Sequence, residues 1–341
     1  MSTRSEYLPT DEEAAEAEAA MAGDADQAAK ATSPGIGAGI VTAAELSNVI
    51  IPERRAILGT FFREGDVGFL FAQRGFGKTL MALQLCKLAI LGGSLGAWRA
   101  KGGARVLYLD CEMPKKDMED RLADFGLLGR DDFVLLNHEV LFVKTGLTMN
   151  LADPVQQRAV IEEMEQRKCN LMIFDNVSTG LRNVRENASE DWDPVGTWLM
   201  DMRRRGIAAL VLHHAGRNNE MRGTSKREDP ATWVLRLDRD KAADDASEAN
   251  VVVRFTKYRT GCREDAEPFG LRFLKEPGKI VAQTTRIDSM DLVIDWVRDG
   301  LTSASDIAAE MGLTKGTVSK LATKAMDAGR LVKKGRDYAI A

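Results

Sequence analysis

Residues 72–79 have the sequence AQRGFGKT, which combines glycine, lysine and threonine at close spacing. Gly75 and Gly77 lack side chains, so backbone N–H groups can converge there on one anion. Lys78 adds a positive charge, and the hydroxyl of Thr79 is an oxygen ligand of the type that Mg²⁺ binds. The segment follows an apolar strand pattern and precedes a helical one, which predicts a phosphate-binding P-loop at a helix N-terminus.

The segment departs from the P-loop consensus G-x-x-x-x-G-K-[ST] at its first position, where Ala72 replaces glycine. An alanine is tolerated at this position if its φ angle is negative. Phe76 and Leu80 belong to the same stretch, and we predict that residues 75–80 together bind the phosphates of ATP. A chance Gly-Lys-Thr at a helix start is the alternative, and the strand and helix patterns around it argue against that.

Two acidic residues elsewhere in the sequence would complete such a site. Asp175 ends the apolar run NLMIFDN in the manner of a Walker B strand, and we predict that it holds Mg²⁺ through water, together with Thr79. Glu112 follows the run RVLYLDC, and in RecA-type cores a strand beside the P-loop strand brings a carboxylate from that point to the γ-phosphate. We predict that Glu112 is the base that activates water. Asp110 is a second candidate, and a solvated acid at a helix start would also explain Glu112.

Short apolar runs alternate with helical patterns from about residue 41 to 284, which is typical of a mostly parallel sheet covered by helices. Helices are expected from Thr79, Lys115 and Asp153. The later runs, with GLRFLK and KIVAQ, have the character of antiparallel additions at the sheet edge. The sequence thus predicts an α/β fold. The apolar runs are residues 66–72, 105–111, 132–137, 170–176, 207–214, 231–237 and 250–258.

Charge is distributed unevenly over the 341 residues, whose formal sum is −4. Residues 1–38 are acidic and poor in large apolar side chains, so we expect a disordered acidic tail. The ATPase core is expected at residues 39–285 and a smaller domain at 286–341. The four cysteines lie far apart in no zinc-binding pattern, which predicts reduced thiols. No signal peptide or membrane-spanning run is recognisable, which favours a cytoplasmic protein without membrane contact.

The last domain has the pattern of three amphipathic helices followed by two short strands around a Gly turn, which is the layout of a winged helix-turn-helix. Residues 311–336 carry seven basic side chains and one acidic one. Basic residues therefore fall where such a domain meets the DNA backbone. The alternative explanations of these residues are contact with a protein partner and a solvated charged surface. The predicted DNA-contacting residues of this domain are Lys315, Lys320, Lys333, Lys334 and Arg336.

Several motifs occur in an order that resembles plasmid RepA-like hexameric helicases, which belong to the wider RecA/DnaB group of P-loop ATPases. These motifs are AQRGFGKTLMALQL, YLDCEMP, IFDNVSTGLR, RENAS, and VLHHAGR followed by RGTSK. The resemblance spans about residues 58–280, which is two-thirds of the chain. It implies a RecA-like core, ATP hydrolysis, and assembly into a homo-oligomeric, hexameric ring on single-stranded DNA.

The resemblance also implies roles for residues near the later strands. His214, at the tip of the run IAALVLHH, matches a sensor position that links the γ-phosphate to a DNA-facing loop, whereas His213 faces the other side of the strand. FTKYRTG resembles the K-x-R element of DnaB-type helicases, so Lys257 and Arg259 would reach the ATP of a neighbouring subunit. Arg222 is the alternative candidate for the arginine that reaches the ATP of the neighbouring subunit. An exposed basic edge strand would equally explain Lys257 and Arg259.

The polar segment 216–230 contains Arg217, Arg222 and Lys226, which would grip DNA phosphates in the pore of a ring. A solvated surface loop explains its composition equally well. The leading hypothesis is a Mg²⁺-dependent ATPase that acts as a DNA helicase in plasmid or phage replication. The alternative is an ATP-controlled DNA-binding regulator or helicase-loading factor whose winged helix reads duplex DNA.

Overall fold

The computed structural model describes residues 36–182, 192–216, 228–239, 249–311 and 313–341. Of the predicted acidic tail, only the last three residues are described, and Arg217, Arg222 and Lys226 of the predicted DNA loop lie outside the described residues. The chain divides into two compact units, Met1–Glu53 and Arg54–Ala341. The described part of the first unit contains a short 3₁₀ turn and one helix, whose side chains are exposed.

Helices and strands alternate through most of the second unit. The α-helices of the described residues are α1 (Ala43–Ser47), α2 (Lys78–Leu91), α3 (Lys115–Phe125), α4 (His138–Thr145), α5 (Pro154–Gln166), α6 (Val177–Gly180), α7 (Asp193–Arg204), α8 (Arg263–Ala266), α9 (Ser289–Arg298), α10 (Ala304–Met311) and α11 (Lys315–Asp327). The strands are β1 (Ala56–Leu58), β2 (Phe62–Arg63), β3 (Val67–Ala72), β4 (Gly93–Leu95), β5 (Trp98–Ala100), β6 (Val106–Asp110), β7 (Phe133–Asn137), β8 (Leu171–Asp175), β9 (Ala208–His214), β10 (Trp233–Arg239), β11 (Ala249–Tyr258), β12 (Phe269–Glu276), β13 (Lys279–Arg286), β14 (Leu331–Lys334) and β15 (Asp337–Ile340).

Nine strands form one sheet in the order β13-β12-β11-β10-β3-β9-β8-β6-β7. The six strands from β10 to β7 run parallel to one another, and β11, β12 and β13 are added antiparallel at one edge. This confirms the predicted α/β fold, with the mostly parallel sheet of a RecA-like P-loop core. The later apolar runs were all expected to be antiparallel additions at the sheet edge. This was wrong for β10, which pairs parallel with β3, so the antiparallel addition begins only at β11.

Helices cover both faces of this sheet. Strands β3, β8 and β9 are buried along their whole length, as strands with a layer on each side must be. Leu70 of β3 packs in the cluster that contains Met81 of α2. The neighbouring Phe69 points the other way, into the cluster on the side of α5 and α7, where Phe174 meets Trp198 edge-on with 6.3 Å between ring centres.

The C-terminal residues form a small module with its own apolar core. Helices α9, α10 and α11 are followed by the antiparallel hairpin β14–β15. This order of elements agrees with the pattern expected for residues 286–341, while the assignment as a winged helix-turn-helix stays a prediction. The module's core contains the buried side chains of Val293, Ile307, Val318, Leu331 and Tyr338.

Two buried arginines of the sheet contact this module. Arg236 on β10 pairs with Glu310, with 3.0 Å between Nη1 and Oε2, and the guanidinium of Arg254 on β11 lies 4.5 Å from the centre of the Trp296 ring. Both arginines also donate to the carboxylate of Asp238. A carboxylate and an aromatic face both attract a guanidinium, which offsets the free-energy cost of burying its charge. The module is therefore attached to β10 and β11 through cationic side chains.

The P-loop strand depends on a close approach between Gly68 and the buried indole of Trp233. A Cβ atom at Gly68 would lie 2.1 Å from Cζ2 of that ring. Gly68→Ala should therefore lower the free energy of unfolding by about 2 kcal/mol or more, because the ring cannot move without disturbing its aromatic neighbours. Gly196→Ala is the matched control, since its Cβ would meet Trp192 at an ordinary 3.7 Å. Denaturant titration measures both, and equal stability of the two variants would contradict this packing.

Candidate nucleotide site

A cleft of about 460 Å³ opens at the carboxyl ends of β3, β6, β8 and β9. The parallel strands all end at this edge, so residues far apart in the sequence meet there. The cleft brings together the predicted residues of the P-loop, the Walker B strand, the β6 turn and the β9 tip. Its lining residues are Arg74, Gly75, Gly77, Lys78, Thr79, Leu80, Asp110, Glu112, Met113, Pro114, Arg121, Asp175, Asn176 and His214.

The P-loop turns back on itself with left-handed glycines and leads directly into α2. Gly75 has a φ of +81° and Gly77 a φ of +73°, conformations that strain any residue with a side chain. No side chain caps the N-terminus of α2 in the described structure, so its first N–H groups are available to an anion. Ala72 lies in β3 without a positive φ, which explains why glycine is not needed there. Phe76 packs its ring against the core, so only its backbone can face a phosphate.

Lys78 is buried at the base of the loop. Its Nζ donates to the carbonyl oxygens of Ala72 at 3.1 Å and Gln73 at 3.2 Å. Burial lowers the pKa of Lys78 to about 8, although the carboxylates of Asp175 and Glu112 favour its charged form. The ammonium is therefore held by two neutral carbonyls that a phosphate can replace.

Asp175 is one of two buried aspartates that line the cleft, and two hydroxyls donate to it. Thr79 Oγ1 and the Tyr108 hydroxyl each lie 2.7 Å from Asp175 Oδ2. Burial raises the pKa of Asp175 to about 6, and the two hydrogen bonds oppose that rise. The sequence reasoning missed Tyr108. Its signal was a hydroxyl-bearing residue two positions before Asp110, on the strand adjacent to β8.

These oxygen atoms fit a Mg²⁺ ion bound with a nucleotide. Because the Thr79 hydroxyl gives its hydrogen to Asp175, its lone pairs stay available to a metal, and Asp175 can then hold metal-bound water. Within the described residues, no group of three or more His, Cys, Asp or Glu side chains is arranged to hold a metal ion. A Mg²⁺ ion at Thr79 and Asp175 would therefore need phosphate and water oxygens as its other ligands.

Glu112 lies on a turn that two other polar residues hold in place. The carboxylate of Asp110 accepts hydrogen bonds from the backbone N–H groups of Glu112, at 3.3 Å, and Met113, at 2.9 Å. Asn137, at the end of β7, donates to Asp110 at 2.7 Å. Burial raises the pKa of Asp110, and these bonds oppose the rise. Asp110 is the second candidate for the base, and in the structure its carboxylate fixes the turn that carries Glu112.

The two histidines of β9 face opposite sides of the strand. His214 lines the cleft, and it is the register partner of Ala72 beside the start of the P-loop. His213 is fully buried, and its Nδ1 lies 2.8 Å from the backbone oxygen of His214. The structure thus brings His214 next to the predicted phosphate site and assigns His213 to the interior.

Lys257 and Arg259 lie at the end of β11, and neither is among the described residues that line the cleft. A bulge between the pairs Val234–Lys257 and Leu235–Phe255 changes the alternation of β11. As a result Phe255 and Tyr258 both pack into the aromatic core, and Lys257 turns to the opposite face. Burial and the nearby charge of Arg259 lower the pKa of Lys257, while Arg259 itself is exposed. The two cations are therefore close together and outside their own chain's cleft.

The predicted DNA residues of the C-terminal module are exposed. Lys315 and Lys320 lie on α11, whose buried side chains Val318 and Ala322 face the module's core. Lys333, Lys334 and Arg336 lie on or beside the hairpin β14–β15.

A family model described as AAA domain matches residues 38–220, which is more than half of the chain. The chain belongs to the AAA domain family. As a member of this family it is a P-loop ATPase, and such proteins bind a nucleoside triphosphate, usually with Mg²⁺. The match covers the P-loop, Glu112, Asp175 and His214, so the cleft lies within the family region.

Two solved structures are similar to this AAA domain protein. A KaiC-like protein from the hyperthermophilic archaeon Pyrococcus horikoshii is 17% identical, with a TM-score of 0.48 over 68% of this chain and 99% of that chain. The flagellar accessory protein FlaH from Methanocaldococcus jannaschii is 11% identical, with a TM-score of 0.45 over 64% of this chain and 90% of that chain. No curated protein matches the sequence. Among the helices that the structure describes, none has the length and hydrophobicity needed to cross a membrane.

The pKa of Lys78 predicts a pH-dependent affinity for nucleotide. The phosphates of a bound nucleotide stabilise the ammonium form, so the lysine's pKa should rise from about 8 when nucleotide binds. Below pH 8 the lysine is charged in both states and the affinity should not change through this group. Above pH 8 the Kd should increase by up to about tenfold per pH unit. Fluorescent ADP titrations from pH 7 to 10 measure this.

Lys78→Arg is the control for this titration, because a guanidinium stays charged over the whole range. Its Kd should vary less between pH 8 and 10, whatever its absolute affinity. A wild-type Kd that stays constant up to pH 10 would show that Lys78 does not lose its proton in the empty site.

Proposed function

We propose that this P-loop ATPase is a motor that hydrolyses ATP as a ring on single-stranded DNA, and that it acts as a helicase in plasmid or phage DNA replication. The observation that carries the ATPase part is the hydrogen bond between Thr79 and Asp175 in a cleft that also contains Lys78 and Glu112. Phosphate binding, a metal position and a base then share one site. Hydrolysis requires all three in the same place.

Five residues of the cleft have a definite task in this proposal. The first N–H groups of α2 and the Lys78 ammonium bind the β- and γ-phosphates, with the ammonium moving from the carbonyls of Ala72 and Gln73 to the phosphate oxygens. Glu112 takes a proton from the attacking water. His214 detects the γ-phosphate at the tip of β9. When bound at Thr79 and Asp175, Mg²⁺ supplies charge neutralisation to the phosphates.

The ring is supported by the location of Lys257 and Arg259. The two cations lie side by side at the end of β11, and the residues that line their own chain's cleft do not include them. Developing negative charge on a transferred phosphoryl group is stabilised by a cation supplied from a neighbouring molecule in many P-loop enzymes. Their placement therefore suits a contact with the nucleotide of an adjacent subunit in a head-to-tail arrangement.

The DNA part of the proposal is supported by the charge of the C-terminal module. Its exposed basic side chains lie on one helix and one hairpin, which can contact DNA phosphates without reading sequence. The predicted pore residues Arg217, Arg222 and Lys226 are outside the described residues and stay a prediction.

The first test compares ATP turnover with and without single-stranded DNA. Wild-type turnover should increase when DNA is added. Glu112→Gln should bind ATP with a Kd within about threefold of wild type, while its kcat falls by about 10²-fold to 10⁴-fold, because the general base is lost. Glu119→Gln, on the exposed face of α3, is the matched control and should behave as wild type.

Two results would reject different parts of this proposal. Normal turnover by Glu112→Gln would remove the base assignment. Robust turnover that DNA does not change would remove the helicase activity but leave the ATPase in place.

The second test asks whether Arg259 acts on a neighbouring subunit. Lys78→Ala and Arg259→Ala should each be nearly inactive alone. In an equimolar mixture about one site in four combines an intact P-loop with an intact neighbouring arginine, so up to a quarter of the wild-type turnover should return. Arg263→Ala, an exposed arginine on α8, is the control and should be active by itself. A mixture no more active than its separate components would contradict a contact in trans.

The second candidate function is a DNA-binding regulator or helicase-loading factor in which ATP controls assembly. The exposed Lys320 face of α11, beside the basic hairpin, favours this candidate because it suits the groove and backbone of duplex DNA. Protection of a specific duplex sequence in a footprinting assay, without unwinding of a forked substrate, would support the regulator over the helicase.

A further inference from the structure

We propose that Asn176 is a positioning residue for Glu112. The side-chain amide of Asn176 donates from Nδ2 to Glu112 Oε2 across the cleft. Asn176 directly follows Asp175 at the end of β8, and its side chain is 1% exposed. This inference rests on the proposed role of Glu112 as the base.

The other end of the Asn176 amide is fixed by the next helix. Its Oδ1 accepts hydrogen bonds from the N–H groups of Ser178, at 3.0 Å, and Thr179, at 3.4 Å, and so caps α6. With Oδ1 held in this way, the planar amide directs Nδ2 towards Glu112. The orientation of the donor is therefore set by the helix cap and does not depend on Glu112.

Glu112 needs such a donor because its own surroundings do not hold its carboxylate. Asp110 fixes the backbone of the turn, but a glutamate side chain has rotatable bonds beyond that. Within the described residues, Asn176 is the donor to the Glu112 carboxylate. The carboxylate of Asp175 repels it, and Lys78 attracts it towards the loop. Without Asn176, several positions of the carboxylate would compete.

The arrangement places two tasks on consecutive residues, the last residue of β8 and the N-cap of α6. Asp175 accepts a hydrogen bond from Thr79 on one side of the cleft, and Asn176 donates a hydrogen bond to Glu112 on the other side. The distance between the metal position and the base is then set by one strand end.

Asn176→Ser tests the positioning role through kinetics. Serine keeps the helix cap but is too short to reach Glu112, so folding and nucleotide binding should be retained. We expect kcat to fall by about 10-fold to 100-fold, with the nucleotide Kd within about threefold of wild type. A residue that only stabilised the fold would not separate these two values.

Asn170→Ser is the matched control, because Asn170 makes the same type of contacts at the opposite end of β8. Its Nδ2 donates to Glu64 at 2.8 Å, and its Oδ1 accepts from the N–H of Arg105 at 2.9 Å. This variant loses an equivalent amide–carboxylate bond away from the cleft. Its kcat should remain within about twofold of wild type.

Asn176→Asp tests the contact itself without measuring turnover. The aspartate keeps the cap but turns a carboxylate towards Glu112, so the unfolding temperature should fall through repulsion. In the double variant Asn176→Asp with Glu112→Gln, the glutamine amide can donate to the new carboxylate. The double variant should therefore recover most of the decrease in unfolding temperature that Asn176→Asp causes alone. Such a recovery measures the coupling between the two neighbouring side chains.

The results separate this proposal from the proposed function. If Asn176→Asp lowers the unfolding temperature equally in the wild-type and Glu112→Gln backgrounds, the two side chains are not in contact. If Asn176→Ser keeps the wild-type kcat while Glu112→Gln loses it, Glu112 is the base but Asn176 does not position it. If Glu112→Gln turns over normally, the base assignment fails, and the stability cycle still reports whether the contact exists.

Discussion

The cleft depends on the hydrogen bonds that the buried carboxylate of Asp175 accepts. An acid enclosed by protein must receive hydrogen bonds, and here the donors come from two other elements, Thr79 at the start of α2 and Tyr108 in β6. Burial raises the pKa of Asp175 to about 6, so the carboxylate is still mostly ionised at neutral pH. The carboxylate of Asp175 therefore fixes the position of α2 relative to β8 through Thr79. Because it keeps its negative charge, it can also bind a metal ion or its water. Loss of either donor would weaken both functions together.

Sheet topology explains why so many of the cleft's residues come from strand ends. The order β3-β9-β8-β6-β7 places five parallel carboxyl ends beside one another, so Asp110, Asn137 and Asp175 are register neighbours although they are distant in the sequence. A polar residue is costly inside a buried strand but not at its end, where neighbouring polar groups can satisfy it. The strands β6, β7, β8 and β9 accordingly all end at a polar residue of the cleft or its support: Asp110, Asn137, Asp175 and His214.

The sequence was sufficient to predict residues that meet in the cleft and insufficient to identify the residues that hold them in place. The P-loop, Asp175 and Glu112 follow from residue type and from their places in strand and helix patterns, and His214 follows from the resemblance to RepA-like helicases. The sequence does not show which of Asp110 and Glu112 holds the turn, because that depends on which carboxylate accepts hydrogen bonds from the backbone of the turn. Asn137 and Asn176 also stand where apolar runs end, but their partners Asp110 and Glu112 lie at or just after the end of β6, and only the strand order reveals this. The parallel pairing of β10 was also missed, because an apolar run has the same composition in either direction.

Attachment of the C-terminal module links it to the strands beside the P-loop. Arg236 of β10 is the register partner of Phe71, one residue before the end of β3, and it pairs with Glu310 of the module. Burial lowers the pKa of Arg254, yet a guanidinium stays charged at physiological pH, so it requires Asp238 and the Trp296 ring nearby. Separating the module would leave two buried cations with fewer partners, which is strongly unfavourable. These charge contacts therefore hold α9 and α10 against β10 and β11, next to the P-loop strand β3.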